Sequence, residues 1–178
     1  MEKVWNNKFE KKKVKFPKDI AMEYCNQLYG LTDKMVIAKV ERYDKNIEDM
    51  DFTLPILDIT PLIKTSKVEE QLGEISGEDK FTYELYLTGK NTPKYKYRFC
   101  FIENGIYPYP VKIAMDIGIA KELECETKIN CKNEEAYKEI LIKILNSNKM
   151  KDVIEGLMTV NSEIDKKWSV KRKNLNKL

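Results

Sequence analysis

The chain has 178 residues, 42% hydrophobic and 34% charged, with a formal net charge of +3 and no histidine. That composition suits one globular domain with a core of its own, and excludes collagen-like, disordered and membrane-spanning classes. The missing histidine removes HExxH zinc sites, Cys2His2 fingers, Ser-His-Asp and Cys-His catalysis, leaving carboxylates, Lys, Tyr and Cys for any chemistry.

Residues 1–15 read as a basic arm, with Trp5 and Phe9 set among its lysines. No apolar run follows them, so no secretory leader is expected and the expected location is the cytoplasm. Phe16-Pro17-Lys18-Asp19 predicts a helix start with Pro in the first turn, and Gly30-Leu31 predicts its stop. Between them Ile20, Ala21, Tyr24, Cys25 and Leu28 recur at helical spacing and form one apolar stripe. Residues 34–43, rich in Val and Ile, predict a strand. An acidic loop at 44–51 follows, then a segment at 52–66 whose Pro55 and Pro61 confine it to edge or extended structure, then a polar loop at 67–80.

The block at 81–119 carries the strongest pattern, with odd positions apolar or aromatic and even positions mostly polar. It predicts a three-stranded antiparallel meander at about 81–117. A first loop at 89–93 would pair Leu87 with Tyr95, Leu85 with Tyr97 and Tyr83 with Phe99, and set Glu84 opposite Arg98. A three-residue bulged loop ending at Gly105 would pair Tyr97 with Val111 and Tyr95 with Ile113. Pro108 and Pro110 lack amide hydrogens, so the third strand is expected to present an unpaired edge there, with Tyr107 and Tyr109 beside it. Tyr86 alone of the aromatics is expected on the polar face.

A turn of helix at 119–123 and a short strand at 127–131 come next. Asn133 and Ser147 are the expected N-caps of two amphipathic helices, the first with Ala136, Tyr137, Ile140, Leu141, Ile144 and Leu145 on one face, the second with Met150, Val153, Ile154, Leu157 and Met158 inward. The fold class is therefore α+β: a mainly antiparallel sheet, one N-terminal helix and a C-terminal helical pair packed on the sheet. Residues 16–164 form the domain, and 165–178 a basic tail.

Charge is segregated behind the small total. Residues 1–18 and 165–178 each carry a net +5, which leaves the body between them acidic. Solvated tails are the plain reading of such ends, and a grip on an anionic partner is the functional one. The residues that would make that grip are Lys11, Lys12, Lys13 and Lys15 at one end, and Trp168, Lys171, Arg172 and Lys173 at the other. Only three of the 32 basic residues are arginine (Arg42, Arg98 and Arg172), which disfavours a reader of specific bases. The same Lys-rich, Asn- and Ile-rich composition points to an AT-rich bacterial or phage genome.

One arrangement has the form of a catalytic site. Asp116 followed after ten residues by Glu126-Thr127-Lys128 resembles the PD-(D/E)XK nuclease pattern, in which carboxylates hold a divalent metal and lysine supports the attacking water. Met115 stands where that family has Pro, and E-x-K triplets arise readily in a chain this rich in Lys and Glu. Glu48, Asp49 and Asp51 lack the Gly and distal Glu of a calcium loop, and the seven glycines form no phosphate-binding loop. Four scattered cysteines, Cys25, Cys100, Cys125 and Cys131, read as reduced thiols. No cofactor is expected. The expected function is that of a small non-catalytic protein-interaction module from an accessory bacterial or phage gene, of the kind that serves defence or counter-defence. Its partner would be another protein, met in part through Tyr107 and Tyr109, with no membrane. The alternatives are a non-specific nucleic-acid binder using the basic ends and a metal nuclease centred on Asp116, Glu126 and Lys128.

Overall fold

The computed structural model describes residues 14–44 and 80–175. Within them the order is α1 (Pro17–Leu31), β1 (Val36–Arg42), β2 (Phe81–Gly89), β3 (Thr92–Asn104), β4 (Val111–Met115), α2 (Ile117–Glu122), β5 (Lys128–Cys131), α3 (Glu134–Leu145) and α4 (Asn148–Leu175). The strands form one antiparallel sheet in chain order, β1 to β5. The protein is α+β, as the alternating 81–119 block and the two terminal amphipathic patterns predict. The acidic loop at 44–51, the proline-punctuated segment at 52–66 and the loop at 67–80 fall almost entirely outside the described residues.

Helix α1 forms where its stripe predicts. Pro17 occupies the first turn, the Asp19 carboxylate accepts from the Phe16 amide, and Ile20, Ala21 and Cys25 are buried. Its end lies beyond the predicted Gly30-Leu31 stop: Thr32 is the C-cap, and the left-handed residues are Asp33 and Lys34, with φ of 47° and 64°. The Thr32 hydroxyl explains the delay. It donates to the Leu28 carbonyl at 2.9 Å and accepts from the Val36 amide at 3.2 Å, tying the helix end to the start of β1.

The meander exists, but its register differs from the one predicted. The β2–β3 turn is Lys90-Asn91 rather than a five-residue loop, and two irregularities then shift the pairing to Leu87 with Tyr97 and Leu85 with Cys100. The second is a bulge at Phe99, and both Phe99 and Cys100 point into the core. Beyond it β3 reverses its parity, so Cys100 and Ile102 face the helices while Phe101 and Glu103 face away. The turn is short because α4 holds it: the Asn91 amide donates to the Asn161 side-chain oxygen at 2.6 Å.

The second hairpin also departs from expectation. Glu103 and Asn104 belong to β3, opposite Lys112 and Val111, and the connection is the longer stretch at 105–110. The Asn104 amide donates to the carbonyls of Gly105 and Tyr107, at 2.8 and 3.4 Å, which gives the loop its own scaffold in place of a tight bulged turn. Tyr109-Pro110 is a cis peptide. The prolines precede β4 rather than lying in it. β4 is an interior strand, paired with β3 on one side and β5 on the other, so the expected free edge is absent there.

The four helices of the described residues share one core with the inner face of the sheet, centred on Leu85, Leu87, Phe99, Ile113, Tyr137 and Leu141. The fully buried Tyr137 donates its hydroxyl to the Pro17 carbonyl at 2.9 Å, fastening the start of α3 to the start of α1. Asn133 and Ser147 cap as predicted, accepting from the amides of Ala136 and Met150. Glu122 adds a second clamp, its carboxylate taking the Asn148 and Lys149 amides at the first turn of α4. The four cysteines are free, and burial pushes the Cys25 thiol up to about 12.

Candidate functional site

The outer face of the sheet is polar but not open. Glu84 is 5% exposed, and its carboxylate accepts from Lys96 and, at 2.6 Å, from Arg98. The expected Glu84–Arg98 contact is therefore present, although in backbone register Arg98 stands opposite Tyr86. Tyr86 lies on this face as predicted, with Lys96 4.0 Å and Lys39 6.0 Å from its ring centre. Burial and the Glu41 carboxylate push its phenol up to about 12.

Burial alone would raise the Glu84 carboxyl, but the hydrogen bonds and charges of Lys96 and Arg98 outweigh it and hold it below 4.5. A carboxylate depressed in the folded state contributes stability that is fully present above the unfolded value and is lost as pH falls through the folded one. The denaturant midpoint should accordingly drop between neutral pH and about pH 3, and Glu84→Gln should flatten that drop. An equally steep drop in the variant would show that other carboxylates carry it.

The nuclease-like triplet is brought to one end of the sheet, since the Met115 amide donates to the Thr127 carbonyl at 2.9 Å. The side chains have separate employment. The Asp116 carboxylate caps α2, accepting from the Gly118 and Ile119 amides at 2.8 and 3.3 Å. Glu126 is exposed in the link before β5, and Lys128 is the first residue of that strand, opposite Ala114. Among the described residues, no three His, Cys, Asp or Glu side chains gather as they would around a metal ion.

The partner-binding candidates divide in the same way. Lys11, Lys12 and Lys13 lie outside the described residues, and Lys15 pairs with Glu23 at 2.6 Å on the surface. Tyr107 is 78% exposed at the tip of the 105–110 loop beside Ile106, whereas Tyr109 turns inward against Tyr137, ring centres 6.4 Å apart. The positions of Trp168, Lys171, Arg172 and Lys173 all fall on α4, whose 28 residues span about 42 Å.

Helix α4 is the informative element. Met150, Val153, Leu157 and Asn161 turn toward the body, and the same stripe continues through Ile164, half-buried, to Trp168, which is 56% exposed. Asp165 still touches the body, its carboxylate accepting from the Asn91 side-chain nitrogen at 2.9 Å. Lys166 and Lys167 flank the exposed part of the stripe. The sequence reading stopped the stripe at Met158 and missed this continuation, although Leu157, Ile164 and Trp168 keep the helical spacing that would have revealed it.

A cavity of about 350 Å³ opens between the C-terminal parts of α1 and α3, floored by Ala38 and Leu87 of the sheet and by Met150 of α4. The starts of α1 and α3 are pinned together through Tyr137 and Pro17, and the cavity lies between their C-terminal parts. Leu31, 80% exposed, and Ile142, 46% exposed, stand at its mouth.

Comparison of the chain with protein-family models, with curated proteins and with solved structures yields no match. No helix among the described residues is long and apolar enough to cross a membrane.

Proposed function

We propose that this protein is a non-catalytic interaction module that presents the end of α4 to another protein. The observation that supports the reading is the face of α4 that runs at helical spacing from the buried Leu157 through Asn161 and Ile164 to the exposed Trp168, with Lys166 and Lys167 beside it. An amphipathic helix of this kind fits an apolar groove on its partner, and the flanking cations call for acidic residues along the groove's edges. Exposed tryptophan on a rigid helix is also the residue type most often found to anchor an interface.

The reading is tested with the tagged full chain, captured from a lysate of its native host beside Trp168→Ala and a Lys166→Glu/Lys167→Glu variant. A stoichiometric protein is expected, with affinity falling about 30-fold or more on loss of the tryptophan, as for an anchor contributing about 2 kcal/mol. The charge reversal should weaken binding chiefly at low salt. Capture unaffected by either variant overturns the assignment to α4. Recovery of nucleic acid alone, with affinity falling steeply as salt rises, replaces it with the phosphate-gripping alternative.

A further inference from the structure

We propose that the cavity between α1 and α3 is a binding site for a neutral, mainly aliphatic small molecule whose head donates a hydrogen bond, such as a medium-chain alcohol. This site uses the start of α4 through Met150 and Ile154, and not its exposed end at Trp168. At about 350 Å³ the space falls within the range of small-ligand pockets and is roughly twice that of an engineered cavity that holds benzene, so it admits about a dozen non-hydrogen atoms. Its depth is apolar, formed by Ala38, Leu87 and Met150, each less than one-tenth exposed, with Leu28 and Ile154 as walls. Left empty, these side chains forgo the dispersion contacts that a close-packed interior supplies, and an alkyl chain restores them.

The polar groups narrow the chemistry further. No Lys, Arg, Asp or Glu of the described residues lines the cavity, so a carboxylate or ammonium head would enter without a counter-charge. The amide side chains of Gln27 and Asn146 stand at the mouth, and both use their nitrogens as donors to helix carbonyls, Gln27 to Glu23 and Asn146 to Ile142. Each keeps its oxygen as an acceptor and one N–H as a donor, a pair that suits a hydroxyl, which can donate and accept at once.

Decan-1-ol is titrated into the full chain preloaded with naphthalene as the dye, a neutral fluorophore with no hydrogen-bonding group whose emission is shielded from iodide quenching when it is bound. One dye per chain should bind and be displaced by decan-1-ol, with decanoate at least tenfold weaker. Ala38→Phe, which places a ring in the cavity, should weaken both dye and alcohol at least tenfold while the melting transition stays cooperative. Gln27→Leu, an exposed position on α1, should weaken the alcohol severalfold and leave the dye unchanged, a result that does not depend on the fate of the first variant. Failure of the wild-type chain to bind dye, binding undiminished in a folded Ala38→Phe, or decanoate equal to the alcohol would overturn the proposal. So would a dimer closing over Leu31 and Ile142 in sedimentation.

Discussion

Tyr137→Ala is expected to lower the stability of the protein by about 3–5 kcal/mol, the range for truncating a fully buried aromatic side chain. The ring is 0% exposed and packs beside Tyr109, and its hydroxyl reaches the Pro17 carbonyl. Removing it therefore empties the centre of the core and unfastens α3 from α1 in one step. Tyr137→Phe separates the two effects, because it keeps the ring and costs only the hydrogen bond, about 1 kcal/mol. Chemical denaturation of the three proteins, with the dependence on denaturant concentration unchanged, gives both numbers. A cost below about 1 kcal/mol for the alanine variant would show that the core closes around the gap and that the tyrosine is not its centre.

The second large effect concerns the contact between α4 and the β2–β3 turn. Gly89 is pressed so closely by the Asn161 amide and the Thr92 hydroxyl that a methyl group there has no room. Asn161 cannot swing aside freely: it is 0% exposed, donates to the Leu157 carbonyl at 2.7 Å and accepts from the Asn91 amide at 2.6 Å. Gly89→Ala should cost about 1–3 kcal/mol through overpacking, and Asn161→Ala about 1–3 kcal/mol by leaving a backbone amide unpaired. Because Asn161→Ala removes the amide that a methyl group at position 89 would strike, the double variant should cost less than the two together by at least about 0.5 kcal/mol. Strict additivity, measured by the same denaturation, would show that the glycine is not required by the asparagine.

Much of the architecture was readable because its signals are local. The stripe of α1, the caps at Asn133 and Ser147, the β1 strand and the α+β class all follow from patterns a few residues long. What could not be read depends on partners distant in the chain. The β2–β3 turn is short because Asn161 holds it from 70 residues away, and the helix stop moves past Gly30 because Thr32 finds the backbone of β1. The bulge at Phe99 was hidden for another reason. Phe99, Cys100, Phe101 and Ile102 are all apolar, so period-two alternation cannot show which two adjacent residues share a face. The site candidates fared likewise. Asp116 carried a motif, yet its carboxylate closes a helix end, and the cavity is built from residues of three helices and the sheet that no local pattern brings together.

The bond from Tyr137 to Pro17 joins residues 120 positions apart, and that separation governs the order of assembly. On a ribosome α1 is made early, but the helix that pins its first turn is synthesised only when more than three-quarters of the chain exists. Until then the apolar stripe of α1 has only the strands to pack on, and an isolated 15-residue helix is marginal in water. Closing so long a loop carries an entropic cost that the neighbouring strand pairings do not, so this bond is expected to form late in folding, after the meander.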